Sequence, residues 1–168
     1  NPNSVDRFVV VDIGPEIERV DSAPSLHGTI AVPEEFESHE DVYAFLRAAD
    51  PLPPNEMLRY RAKHGVRQTN RGRWTWKSDR ELRMPTQRRR APSADELWAV
   101  LALISCPTLV VRGQQSAVLA KHVAQRMERT LPNGRLVEVE RAGHRITLDN
   151  LDGLEREVHG FLTELPKS

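Results

Sequence analysis

The pattern of apolar and polar positions predicts three short strands. Arg7–Ile13 is almost wholly apolar and β-branched and stops at Gly14-Pro15, and Pro107–Gly113 is a second apolar run that stops at a glycine. Such runs are typical of strands covered on both faces in a parallel sheet. Arg135–Glu140 alternates apolar and polar residues, which predicts a more exposed strand.

Helical periodicity follows two of these strands. Val118–Leu131 carries its apolar residues on one face and stops at Pro132-Asn133-Gly134, and Leu151–Leu165 repeats the pattern at the end of the chain. Strand, helix, strand and helix in this order indicate right-handed βαβ units on a parallel sheet. The predicted fold class is therefore α/β.

The segment 25–104 differs from the rest of the chain in its residue types and in the elements that it predicts. It contains all three tryptophans, and Ser38 and Ser93 each stand before a run with helical spacing, as helix N-caps do. Glu56–His64 predicts a further helix that ends at Gly65. We interpret 25–104 as helices and loops laid over another part of the chain, and we assign residues 1–24 and 105–168 to the α/β core.

Composition narrows the class of protein. The 168 residues suit about one domain, with 39% hydrophobic and 29% charged residues. Lys and Arg number 24, as do Asp and Glu, so the formal net charge is zero and favours neither a nucleic acid nor an anionic membrane as a partner. The run Arg88–Arg90 is interpreted as a solvated edge of the segment 25–104. A lone cysteine, Cys106, excludes an internal disulfide, and no apolar run predicts a signal peptide or membrane span, so we expect a cytoplasmic protein.

Three segments carry a resemblance to a known family. Phe8–Pro15 (FVVVDIGP), Cys106–Gly113 (CPTLVVRG) and Arg135–His144 (RLVEVERAGH) resemble strands six, seven and eight of the α/β-hydrolase fold. The lid of that family is inserted between strands six and seven, where 25–104 lies. The resemblance implies hydrolysis of a carboxylic ester or lactone of a small hydrophobic substrate, and it implies no metal or organic cofactor.

The nucleophile of that family lies on a G-x-S-x-G turn, and this sequence contains no such pentapeptide. We therefore expect the C-terminal half of the fold, inactive by itself, which pairs with a complementary N-terminal half or with itself. Dehalogenases, epoxide hydrolases and C–C hydrolases share the same frame. A non-catalytic binding or assembly module is the alternative of a different class.

The resemblance also assigns candidate site residues. His144, after Gly143 at a strand end, matches the general base of the triad. The family's usual acid follows strand seven in a G-x-x-S-D pattern, but here Ala117 stands at the expected aspartate. An engineered change, a natural loss of activity, and an acid moved to the end of strand six all remain open. In the last case Asp12 or Glu16 would serve, although Asp12 also has a purely structural interpretation.

Two tryptophans are candidates for the substrate pocket. Trp74 and Trp76 flank one threonine, so on a strand both rings would face the same way. They either line an apolar pocket or form the lid's own small core. Trp98 is interpreted as a packing residue of its helix.

Overall fold

The computed structural model describes residues 5–16, 32–79 and 92–164. The chain divides into two compact units, one formed by Asn1–Val20 with Ala91–Ser168 and the other by Asp21–Arg90. The run Arg88–Arg90 lies outside the described residues. In chain order the elements are β1 Phe8–Val11, β2 Glu35–Phe36, α1 His39–Ala49, α2 Asn55–His64, β3 Val66–Gln68, β4 Trp74–Trp76, α3 Ala94–Leu101, β5 Thr108–Gly113, α4 Lys121–Thr130, β6 Gly134–Val139, α5 Ile146–Asp149 and α6 Leu151–Thr163.

The first unit is built on a parallel sheet with the order β1–β5–β6. Phe8 lies opposite Thr108, and Thr108 lies opposite Gly134, so the three strands start together. Every residue of the central strand β5 is buried, as its apolar sequence predicts. The loops that follow the three strands meet at the carboxyl edge of the sheet. This sheet confirms the predicted fold class.

Alternate residues of β5 support two apolar cores, one on each face of the sheet. Val110 packs with side chains of α3 and α4, whereas Leu109 and Val111 pack with residues of α6 and of the loop after β6. Trp98 and Leu101 of α3 belong to the first of these cores. The unit boundaries therefore differ from the predicted 25–104, because α3 buries its apolar face on the parallel sheet.

Two helix starts follow the serine cap signals in the sequence, whereas a third helix starts later than its pattern predicts. Ser38 and Ser93 both form capping boxes, with Asp41 and Glu96 as the reciprocal partners. Helix α4 begins at Lys121, three residues later than predicted, because the backbone N–H groups of 118 and 119 donate to the Ser116 hydroxyl in a preceding turn.

The second unit has a small antiparallel sheet, in the order β2–β4–β3, with helices α1 and α2. Its core is formed by Phe36, Val42, Leu46, Leu58, Ala62 and Val66. Within the residues described, no helix of either unit is long and apolar enough to cross a membrane.

Candidate active site

Asp12 is the first residue after β1, at the carboxyl edge of the parallel sheet. Its side chain is fully buried, and its φ of +49° places the backbone in the left-handed region, which aspartate tolerates better than most residues. The backbone N–H of Gly113 donates to Oδ1 at 2.9 Å. The Ser116 hydroxyl bonds Oδ2 at 2.5 Å. A buried carboxylate is therefore held by the last residue of the neighbouring strand β5 and by the turn after it.

His144 lies on the loop after β6 and reaches the same carboxylate. Its Nδ1 is 2.9 Å from Asp12 Oδ2, although the two residues are 132 positions apart in sequence. The imidazole is half exposed, whereas the carboxylate is shielded from solvent. Because the Asp12 carboxylate accepts a hydrogen bond from Nδ1, the neutral ring carries its proton on Nδ1. The lone pair of the ring is then on Nε2.

A close approach between two loops fixes the position of the histidine. A β-carbon on Gly113 would stand 2.1 Å from the carbonyl oxygen of Gly143 and 2.7 Å from that of Ala142, so only glycine allows this contact. The N–H of Gly143 donates to the buried Asp149 carboxylate at 2.8 Å. These contacts hold the backbone immediately before His144 against the end of β5.

The other acid candidates lie in different surroundings. Ala117 follows Ser116 in the turn after β5, and its methyl group offers neither charge nor hydrogen bond. The carboxylate of Glu16 accepts from the indole N–H of Trp98 at 2.5 Å and from the Arg126 guanidinium at 3.0 Å. Of the three candidates, the structure brings Asp12 to His144.

Trp74 and Trp76 lie on β4 with both rings against the core of the second unit. The Trp76 ring meets the Phe36 ring edge-on, with centroids 5.2 Å apart, and its N–H donates to the carbonyl of Pro33 at 2.9 Å. Trp74 stacks on His39 at 3.8 Å. These contacts favour the interpretation as a small core within that unit.

Two features near the site were not found from the sequence. Arg112 is the penultimate residue of β5, and its buried guanidinium binds carbonyls of the following turn. A charged residue inside an otherwise apolar run was the available signal, because arginine is seldom buried without partners. The steric need for glycine at 113 depends on a loop thirty residues away in sequence and gives no local signal.

A metal centre has no support in the described parts of the chain. No group of three His, Cys, Asp or Glu side chains there is arranged to hold an ion.

Solved structures resemble this chain over nearly all its length. An E-2-(acetamidomethylene)succinate hydrolase gives a TM-score of 0.73 at 21% identity and covers 97% of this chain and 59% of its own. An esterase from Mycobacterium tuberculosis gives 0.67 at 26% identity, with coverages of 97% and 54%. An α/β hydrolase from Novosphingobium aromaticivorans gives 0.71 at 25% identity, with coverages of 96% and 58%. No protein-family model and no curated protein matches the sequence.

The sheet and these likenesses place the molecule among α/β proteins with a parallel sheet and helices on both faces. More narrowly, the chain has the fold of the C-terminal part of an α/β hydrolase, as its sequence predicted. It spans between 54% and 59% of the length of the three structures named.

Proposed function

We propose that this chain supplies the general base and the acid of a serine-type hydrolase that cleaves carboxylic ester or lactone bonds of small hydrophobic substrates. The observation that carries the proposal is the 2.9 Å contact between His144 Nδ1 and the buried Asp12 carboxylate. A buried acid that orients a more exposed imidazole is the arrangement that general-base catalysis needs. The esterase among the similar structures supports the ester class.

In the proposed reaction, Nε2 of His144 takes the proton of a serine hydroxyl as its oxygen attacks the substrate carbonyl. The ring becomes an imidazolium, and the Asp12 carboxylate stabilises that charge through Nδ1–H. The same proton then passes from Nε2 to the departing alkoxide, which leaves an acyl-enzyme. Water then attacks the acyl carbonyl as Nε2 takes its proton, and that proton passes to the serine oxygen as the acyl–oxygen bond breaks and the carboxylic acid is released.

The serine and the backbone donors for the oxyanion would come from a complementary N-terminal segment, because this sequence has no G-x-S-x-G turn. The same acid–base pair would serve an aspartate nucleophile, as in dehalogenases and epoxide hydrolases. We favour serine because the similar structure at 26% identity is an esterase.

The alanine at position 117 is compatible with this function because Asp12 serves as the acid. An aspartate at 117 would be a second candidate on the neighbouring loop, whereas Asp12 already contacts the imidazole. The proposal therefore adopts the relocated acid among the three explanations that the sequence leaves open.

The test is aryl-ester turnover by the chain assembled with a nucleophile-bearing N-terminal segment. We expect Asp12→Asn to lower turnover by about 10³- to 10⁴-fold, as loss of the acid does in serine proteases, and His144→Ala to lower it at least as far. Glu16→Gln is the matched control, since it also removes a carboxylate after β1, and it should leave turnover unchanged. The chain alone should not exceed background.

Two results would overturn the proposal. If Ala117→Asp raises turnover by orders of magnitude while Asp12→Asn has no effect, the acid belongs after β5. If the assembled protein binds its complement tightly but His144→Ala leaves ester turnover unaltered, the chain is a binding module.

A further inference from the structure

The Ser116 hydroxyl is buried against the carboxylate oxygen that also contacts His144. Its Oγ is 2.5 Å from Asp12 Oδ2, and His144 Nδ1 is 2.9 Å from the same oxygen. Gly113 N–H holds the other oxygen, Oδ1, at 2.9 Å. Both oxygens of the acid are therefore engaged, one by the last residue of β5 and the other by the turn that follows it.

The direction of the serine hydrogen bond follows from its other partners. Ser116 Oγ accepts the backbone N–H groups of Val118 and Leu119, both at 3.1 Å. These donors occupy the oxygen lone pairs, so the single hydroxyl proton points to Asp12. Asp12 thus accepts from a backbone N–H, a hydroxyl and an imidazole N–H, a set that suits an ionised carboxylate.

Arg112 holds the turn that presents this hydroxyl. Its guanidinium donates to the carbonyls of Leu119 at 2.7 Å, Gln114 at 3.0 Å and Ser116 at 3.3 Å. Glu138 on β6 accepts from the same group at 2.7 Å. The backbone of Ser116 is thereby tied to the central strand, independently of Asp12.

We propose that Ser116 is a positioning residue that fixes the plane of the Asp12 carboxylate and so aims it at His144. This inference rests on the acid–base pair of the proposed function. The loop where relatives carry their acid supplies here a hydrogen bond to an acid on the adjacent strand. Ser116 is not itself a nucleophile in this scheme, because it is buried and its proton is engaged.

The experiment compares Ser116→Ala with Ser116→Thr, which keeps the hydroxyl. In the assembled enzyme, Ser116→Ala removes the hydrogen bond to the Asp12 carboxylate together with the two bonds from the N–H groups of 118 and 119, and it should lower kcat by about 10- to 100-fold with KM unchanged. In the 168-residue chain, the low-field NMR signal of the His144 Nδ1 proton should broaden through faster exchange. Ser116→Thr should restore both kcat and the signal.

Thr108→Val is the matched control. It removes another buried hydroxyl, which bonds the Cys106 carbonyl at 3.0 Å at the opposite end of β5 from Gly113. It should change neither kcat nor the proton signal. An equal loss in Thr108→Val and Ser116→Ala would show a general packing effect and overturn the inference, as would an unchanged signal and kcat in Ser116→Ala.

Asp12→Asn separates this inference from the proposed function. If that substitution abolishes the Nδ1 proton signal and Ser116→Ala does not alter it, only the role of Ser116 is wrong. If Asp12→Asn also leaves the signal and the turnover unchanged, the acid–base pair itself is wrong.

Discussion

At Asp12, one backbone angle determines the direction of the side-chain carboxylate. A φ of +49° turns the chain sharply after β1, while the N–H of Asp12 still donates to Val111 at 2.8 Å and keeps the strand paired. This conformation is uncommon outside glycine and is found most often where surrounding contacts enforce it. The turn directs the carboxylate along the edge of the sheet toward β5 rather than into solvent.

Gly113→Ala tests the close approach beneath His144. The new β-carbon would overlap the Gly143 carbonyl, so the loop before His144 must move, and overpacking of this kind costs about 1–3 kcal/mol. We expect a lower free energy of unfolding in urea and loss of the His144 Nδ1 proton signal. Gly160→Ala, in helix α6 with nothing near its added carbon, should instead be stabilising by about 0.5–1 kcal/mol. Equal behaviour of the two variants would contradict the steric argument.

The sequence identified both members of the proposed acid–base pair, but it could not choose the acid among Asp12, Glu16 and position 117. His144 follows a strand-end glycine, and Asp12 ends an apolar run, so both signals are local. The choice of Asp12 over Glu16 or Ala117 depends on which side chain turns toward the β6 loop. That direction is set by the left-handed angle at Asp12 and by Ser116, which no periodicity reports.

Strand β5 is the element that organises the site. It is paired on both sides, it is buried throughout, and its last residues supply the Gly113 N–H and the Arg112 clamp. Arg112 and Lys121 both donate to Glu138 of β6, at 2.7 and 3.0 Å. Burial raises the pKa of the Glu138 carboxyl, but the hydrogen bonds from Lys121 and Arg112 outweigh it and hold that pKa below its ordinary value of 4.5.

This lowered pKa predicts an acid-sensitive contribution to stability. Because the folded pKa of Glu138 is below the unfolded one, its contribution is complete above about pH 5 and is lost as the pH falls through the folded pKa. Glu138→Gln should lower the free energy of unfolding by about 1–2 kcal/mol at pH 7, with a smaller difference below about pH 4.

Glu157→Gln is the control for that measurement, since Glu157 is 28% exposed like Glu138 and forms an ion pair with its neighbour Arg156 on the surface of α6. Urea unfolding across pH 3–7 measures both variants, and Glu157→Gln should stay close to the parent. A Glu138→Gln deficit that is the same at every pH would refute the charge-based account.

Element boundaries were predictable from the sequence where neighbouring residues set them. They were not predictable where a contact formed only in the folded chain sets them. Capping boxes marked α1 and α3 correctly. Helix α4 started later than its apolar periodicity indicated, because Ser116 captures two N–H groups that periodicity assigns to the helix. The Ser116 hydroxyl, which shifts the start of this helix, also forms a hydrogen bond with Asp12.

At the scale of the whole molecule, β1 is one of the two edge strands of the parallel sheet. It pairs with β5 on one side, and among the described residues no strand pairs with its other side. Phe8 and Val11 remain 41% and 39% exposed. An apolar edge of this kind offers unpaired backbone groups to another chain.

We therefore predict that the purified chain self-associates unless a complementary segment covers β1. Size-exclusion chromatography with light scattering should give a mass above the 19.1 kDa of one copy. Phe8→Lys should shift the distribution toward single copies, because a charge at a sheet edge opposes pairing. Leu103→Lys alters an apolar residue that is 81% exposed but lies outside the sheet, and it should not. A monodisperse single copy of the parent with a sharp melt would refute the prediction.

The contacts of Glu16 have a bearing on how this molecule tolerates change. Glu16 is the last described residue before the second unit, and it is bound to Trp98 and Arg126, whose guanidinium stacks on that indole at 3.9 Å. One carboxylate thus links the residues after β1 to helices α3 and α4 of the same unit. A substitution that removes it takes contacts from two helices at once, whereas loss of Trp98 or of Arg126 alone leaves the other contact in place.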